Sequence, residues 1–394
     1  MPTTVDAAKR ATFVAFIAAG FAFASWASRI PQVRDRLHVT PAALGLILLA
    51  IAVGSLVALP LTGSIIHRIG TARTVESMAV LLAVGLAIVA FGYRIGAVPV
   101  VVGLLLLGFA NGAWDVGMNV HAASVEKRVG RSIMSRFHAG FSVGTVGGAL
   151  VGAAMVALHV PVTAHLLGVA IVIAAVVPVY ARRFLPEDSH DEPGPEQPRR
   201  SALAAWREPR TLLIGLFVMC AAFTEGTGND WLGVAMIDGY HSSAVVGTLA
   251  FSVFLASMTT ARWFGPSLID RFGRVPVLRT SVALALVGLV LVVIGVDLPI
   301  AFLGTVLWGS GAALGFPVGM SAASDDARYA PSRVSVVASI GYTAFLAGPP
   351  VIGFLGDHVG VLHALTIAAG LLALATGLAS ATREPKPVAV DVAD

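Results

Sequence analysis

Twelve separate stretches of this chain are each apolar for about 20 residues, the length at which a helix crosses a hydrocarbon layer. They run roughly Ala11–Ile30, Ala42–Ile66, Thr74–Phe91, Val98–Ser124, Ser135–Leu158, Val162–Tyr180, Thr211–Ile237, Ala244–Leu268, Val277–Val296, Ile300–Ser324, Val334–Gly356 and Val361–Ser380. Hydrophobic residues make up 57% of the sequence and charged residues 12%, against about 25% charged in a soluble domain. So few charges cannot wet a protein of this size, and lipid must be the solvent for most of it. The expected fold is an all-α membrane protein with twelve transmembrane helices. Lys9 and Arg10 precede the first run without a small-residue cleavage site and a soluble domain behind it, so the first helix is read as retained. Cys220 is the one cysteine, which excludes an intramolecular disulfide and a cysteine metal cluster. The net charge of +4 is scattered between apolar runs and gives no nucleic-acid signal.

Most connections are short. The exception, 183–209, carries Glu187, Asp188, Asp191 and Glu192 among prolines and reads as a solvated linker. It divides the chain into six-helix bundles over 1–182 and 210–394. Basic residues assign the sidedness. Lys9, Arg10, Arg68, Arg73, Lys127, Arg128, Arg131, Arg136, the linker arginines, Arg271, Arg274, Arg279, Arg328, Arg333, Arg383 and Lys386 would share one side, against Arg29, Arg34, Arg36 and Arg94 on the other. Both termini are therefore expected in the cytoplasm, with the chain in the inner membrane. The halves also repeat at a spacing of about 200 residues. His67-Arg68-Ile69-Gly70 matches Asp270-Arg271-Phe272-Gly273, Val116-Gly117-Met118 matches Val318-Gly319-Met320, and Gly140, Gly147 and Gly152 match Gly341, Gly348 and Gly353. Such repeats place a substrate site at their interface, near the membrane midplane.

With these features the chain resembles the major facilitator superfamily. Gly63, Arg68, Gly70 and Arg73 are similar to the family's loop after the second span, with His67 where an Asp is usual. The second copy, Arg262, Gly265, Asp270, Arg271, Gly273 and Arg274, keeps the Asp. The resemblance implies a gating latch built on Arg68, Asp270, Arg271, Arg274 and Arg262, one that forms in the outward-facing state. A narrower likeness, to the YbjJ-type branch related to fucose permeases, rests on Arg29-Ile30-Pro31, Asp115-Val116-Gly117-Met118-Asn119, Met134-Ser135-Arg136-Phe137-His138, and Glu225-Gly226 with Asp230-Trp231. It implies a sugar-like solute. The span-five glycines Gly144, Gly147, Gly148 and Gly152 lack the proline of the family's drug antiporters, which weakens that reading.

Three acids, Asp115, Glu225 and Asp230, sit well inside spans. An ionised acid there costs about 2.5–3.5 kcal/mol on insertion scales, so it must meet water, a cation or a proton. Asn111, Asp115 and Asn119 form one stripe about 80° wide on a helix. That stripe is read as a wall binding substrate or protons; the alternative is interhelical hydrogen bonding. Glu225 shares a face with Asn229, whereas Asp230 lies about 140° away unless the helix unwinds at Gly226 and Gly228. Asp115 or Glu225 is the candidate for proton coupling; binding of substrate hydroxyls, or neutralisation of Arg29 or Arg262, is the alternative. His121 and His138 read first as packing residues. Arg29 is either a snorkelling cation or a substrate anchor. Trp26, Trp114 and Trp231 are candidates for stacking on a solute, with interfacial or packing roles as the alternative. Pro317, Pro349 and Pro350 are expected to kink spans ten and eleven.

The leading expectation is secondary active transport of a small polar solute by alternating access, as proton symport in a monomer. Proton-driven efflux of drug-like compounds is the alternative. No nucleotide-binding loop, catalytic pair or metal spacing points to an enzyme, and no cofactor is expected beyond the proton gradient.

Overall fold

The computed structural model describes residues 4–130, 133–186, 202–326 and 329–384, with side chains at 202, 203 and 331 left out. Most of the expected linker, including its acidic cluster, and Arg131 and Arg328 lie outside the described residues. Among the described residues twelve helices are long and apolar enough to cross a membrane. They are span 1 (Val5–Leu37), 2 (Pro41–Ile69), 3 (Thr71–Gly92), 4 (Ala97–Val129), 5 (Met134–Ala157), 6 (Val162–Ala181), 7 (Pro209–Tyr240), 8 (Ala244–Phe272), 9 (Arg274–Ile294), 10 (Leu298–Ala323), 11 (Ser332–Val359) and 12 (Val361–Thr382). An even number of crossings returns both described ends to one face, called here the terminal face; the other is the distal face.

Spans 1–6 pack chiefly on one another, as do spans 7–12, and the two groups meet along spans 2 and 11, spans 5 and 8, and the distal ends of spans 1 and 7. Small residues make the close crossings within each group, as expected where lipid removes the hydrophobic drive between helices. Gly108 of span 4 lies so near span 2 that a Cβ there would sit 2.1 Å from the Ile51 carbonyl oxygen.

The sequence repeat is also a structural one. Span 1 ends on His38 and span 7 on His241, both left-handed, with φ of 52° and 48°. Spans 2 and 8 then open with matching caps, Thr40 accepting from the Ala43 N–H and Ser243 from the Val246 N–H. Both end on a glycine of positive φ, Gly70 at 83° and Gly273 at 82°, where a side chain would be strained. The two loops with the repeated motif therefore share one backbone turn.

Three spans are interrupted, span 12 at Leu365 between helices Val361–Ala364 and Thr366–Leu378. Span 1 breaks at Ser28–Arg29, ahead of Pro31. Span 10 breaks at Ala313–Leu314, between helices Leu298–Ala312 and Gly315–Ala323. Pro317 explains the break in span 10: the Ala313 carbonyl would bond the N–H four residues on, and proline has none. Span 7 runs unbroken through Gly226 and Gly228, so the unwinding these glycines would permit is absent. Pro349 and Pro350 sit inside a continuous helix.

Candidate functional site

A cavity of about 820 Å³ lies between the two groups of spans. Its deepest polar group is Asp115, midway along span 4, and it extends to Ser135, Arg136 and Arg274 where spans 5 and 9 begin at the terminal face. Asp115 is held by Asn119, whose Nδ2 donates to the Asp115 carbonyl oxygen at 2.8 Å and to Oδ1 at 3.2 Å. Among the described residues no cation pairs with Asp115. On the opposite wall, Arg262 of span 8 is fixed from two sides. Its Nε donates to the Ala313 carbonyl freed by Pro317, at 3.1 Å, and one terminal nitrogen donates to both oxygens of Glu225 in span 7, each at 2.8 Å. Phe141, Trp263, Phe316 and Met320 supply apolar wall.

The distal face is shut. Arg34 beyond span 1's break clamps both oxygens of Asp238 at the end of span 7, the second at 2.9 Å. Asp357 of span 11 accepts from the Ala42 N–H of span 2 at 3.2 Å. Below it the backbones touch: a Cβ on Gly45 would lie 2.4 Å from the Pro349 carbonyl oxygen, and one on Gly353 2.4 Å from that of Pro41. The clamp is partly solvated, with side chains 12% and 37% exposed, so Asp238→Asn should weaken the seal by about 1 kcal/mol. Nitroxide labels at Arg36→Cys and Val359→Cys, with Cys220→Ala, should then show a longer distance population several times larger than in the parent; an unchanged distribution contradicts a role for the clamp.

The Major Facilitator Superfamily model matches residues 11–333 and, in a second match, 218–391. The chain belongs to the major facilitator superfamily. An uncharacterised transporter, y4wD, of Sinorhizobium fredii is 31% identical over 355 residues, covering 88% of this chain and 91% of its own. An uncharacterised MFS-type transporter of Yersinia pestis is 30% identical over 92% of this chain and 91% of its own. The crystal structure of the nucleoside transporter NupG superposes with a TM-score of 0.72 at 15% identity, over 94% of this chain and 98% of that one, a likeness of fold. The protein is thus a multi-pass membrane transporter and not an enzyme.

Within this facilitator fold the residues singled out from sequence scatter more than expected. Asp115 opens into the cavity, and Asn119 holds it; Asn111, one turn deeper, does not line it. Arg262 is a correction: it is a cavity cation paired with Glu225, whereas its motif suggested the latch. Of the other latch residues, Arg274 bonds Asp325 at 3.0 and 3.2 Å and the Thr382 carbonyl at 3.1 Å, and Arg271 lies over the Phe272 ring. Arg68 and Asp270 form no hydrogen bond or ion pair among the described residues.

Arg29 neither snorkels nor lines the cavity. It is 2% exposed, with Nε donating to His165 Nδ1 at 2.9 Å and a terminal nitrogen to the Val160 carbonyl at 3.1 Å. Trp26, Trp114 and Trp231 are sealed in helix contacts at 2%, 0% and 0% exposure, and cannot stack on a solute in this state. Asp230 and Asn229 lie distal to the cavity and do not line it, and the Asn229 Oδ1 is buried without a partner among the described residues. His121 stacks on Phe184, whereas His138 lines the cavity.

Sequence reasoning missed Asp325, Arg34 and Asp238. Asp325 joins Arg274 to Arg210, which donates to it at 2.8 Å, and so ties spans 7, 9 and 10 at the terminal face. A signal was present: Ala122-Ala123-Ser124 repeats as Ala322-Ala323-Ser324, and Asp325 follows the second copy at the end of span 10.

Proposed function

We propose that this transporter is a secondary active carrier that moves a small polar, sugar-like solute with protons by alternating access. In this reading it lies in the inner membrane with both termini cytoplasmic, works as a monomer, and falls near the fucose permeases. The cavity then faces the cytoplasm. One observation carries the reading: Asp115 opens midway across the membrane into a cavity between the two six-helix groups, with an amide and, among the described residues, no cation as its partner. A carboxyl group in that position is stable either protonated or beside bound water or solute, so a proton and a solute can share the site. The apolar wall of Phe141, Trp263 and Phe316 supports a second reading, proton-driven export of more hydrophobic compounds.

One experiment tests both. Liposomes carrying the purified protein and an internal pH dye are given sugars, sugar acids, nucleosides, vitamins and peptides in turn. Symport predicts that a transported solute added outside acidifies the interior; exchange for protons predicts that it alkalinises it. Solute counterflow without any proton movement would sink the coupling.

A further inference from the structure

The cavity wall carries more cations than acids. Among the described residues Arg136, Arg262 and Arg274 reach it, against Asp115 alone. Arg274 is neutralised by Asp325. Arg136 has no carboxylate partner among the described residues, and Arg262 is only half engaged. A guanidinium carries five N–H donors and holds a carboxylate best with two nitrogens, one to each oxygen. Here Nε is taken by the Ala313 carbonyl and a single terminal nitrogen serves both oxygens of Glu225. The other terminal nitrogen makes no hydrogen bond among the described residues. The pair is also open to exchange, since the Arg262 and Glu225 side chains remain 28% and 16% exposed.

We propose that the solute bears a carboxylate, which docks on the unused edge of Arg262 in competition with Glu225, while Arg136 holds the opposing wall positive. This rests on the transporter reading above and names its substrate class: a polyhydroxylated acid. A neutral sugar can offer the unused donors of Arg262 only hydroxyl oxygens, a weaker bond than the charge-assisted one to a carboxylate, and a cationic one is repelled by Arg136 and Arg262. Trp263 and Phe316 offer apolar faces to the sugar ring.

The test is calorimetric binding to the full-length protein in detergent, with glucuronate, glucose and glucosamine as probes. Glucuronate should bind at least tenfold more tightly than the other two. Glu225→Gln removes the internal competitor and should tighten glucuronate severalfold while leaving glucose unchanged. The double variant Arg262→Gln with Glu225→Gln leaves no unpaired charge behind but takes the donor from the Ala313 carbonyl, so its fold is checked by circular dichroism; folded, it should lose the preference for glucuronate. Glucose or glucosamine binding as well as glucuronate, Glu225→Gln weakening glucuronate, or no binding of glucuronate by folded protein overturns the proposal. The dye experiment is read independently: a neutral sugar that drives proton movement would leave the transporter reading standing with the acid assignment gone, and the absence of any coupled solute would remove both.

Discussion

Asp115→Asn should abolish uphill accumulation of whichever solute moves protons through this carrier, while exchange of that solute down its own gradient persists. Asn keeps the shape of Asp and can still bond Asn119, so the wall of span 4 should survive. What disappears is the titratable oxygen that opens into the cavity. Loss of a positioned proton-transfer group lowers rates by about a hundredfold or more, and here the coupled rate should fall by at least that much. Counterflow needs no net proton movement and should stay within a fewfold of the parent. The measurement is internal acidification beside radiolabelled counterflow in the same liposomes. Coupled accumulation that survives the substitution would show that the proton travels elsewhere, with Glu225 the next candidate.

Gly45→Val should force the distal face apart. The site tolerates no side chain, because the atoms a Cβ would strike are the Pro349 carbonyl oxygen at 2.4 Å and its carbon at 2.9 Å, both backbone. No rotamer change relieves such a clash, so span 2 or span 11 must retreat by about an ångström before any valine methyl is placed. The contact lies between the two groups of spans and not inside either, which leaves each group's own packing intact. The relief available is separation of spans 2 and 11, and the labels at positions 36 and 359 should shift by tenfold or more toward the longer distance, the size of change expected from about 1.4 kcal/mol. Transport should fall with it, since a carrier held in one state cannot cycle. Gly63→Val is the control, because nothing lies within 4 Å of a Cβ there. A distance distribution unmoved by Gly45→Val would mean the seal does not control the distal opening.

Both predictions use parts of the molecule that differ in how plainly the sequence announces them. The spans were legible because hydrocarbon thickness sets one length for all of them. The repeat was legible because both copies must make the same turn, and only glycine makes it easily at positions 70 and 273. Asp115 was legible because an acid deep in a span needs water, a cation or a proton nearby. The tryptophans were not, since each residue turns a helix by about 100° and composition does not say which face meets the other helices. The same limit misplaced Arg29, whose partner His165 lies 136 residues away. The distal clamp is harder still, because Arg34 and Asp238 are 204 residues apart and each looks like an ordinary loop charge until the halves are assembled. Arg262 shows a different limit: its motif suggested a loop latch, pairing with Glu225 was the alternative, and only the fold decides for the pair.

The break in span 10 ties the shape of the backbone to the contents of the cavity. Proline at 317 leaves the Ala313 oxygen without a helical donor, and Arg262 fills the gap at 3.1 Å while holding Glu225 with another nitrogen. One guanidinium thus serves as both a splint for a helix and a seat for a charge. A guest that pulls it aside leaves a bare peptide oxygen in an oily interior, which water must then reach or a bend must hide. Span 10 cannot be indifferent to what sits beside it, and its hinge is the first place where occupancy of the cavity should register as motion.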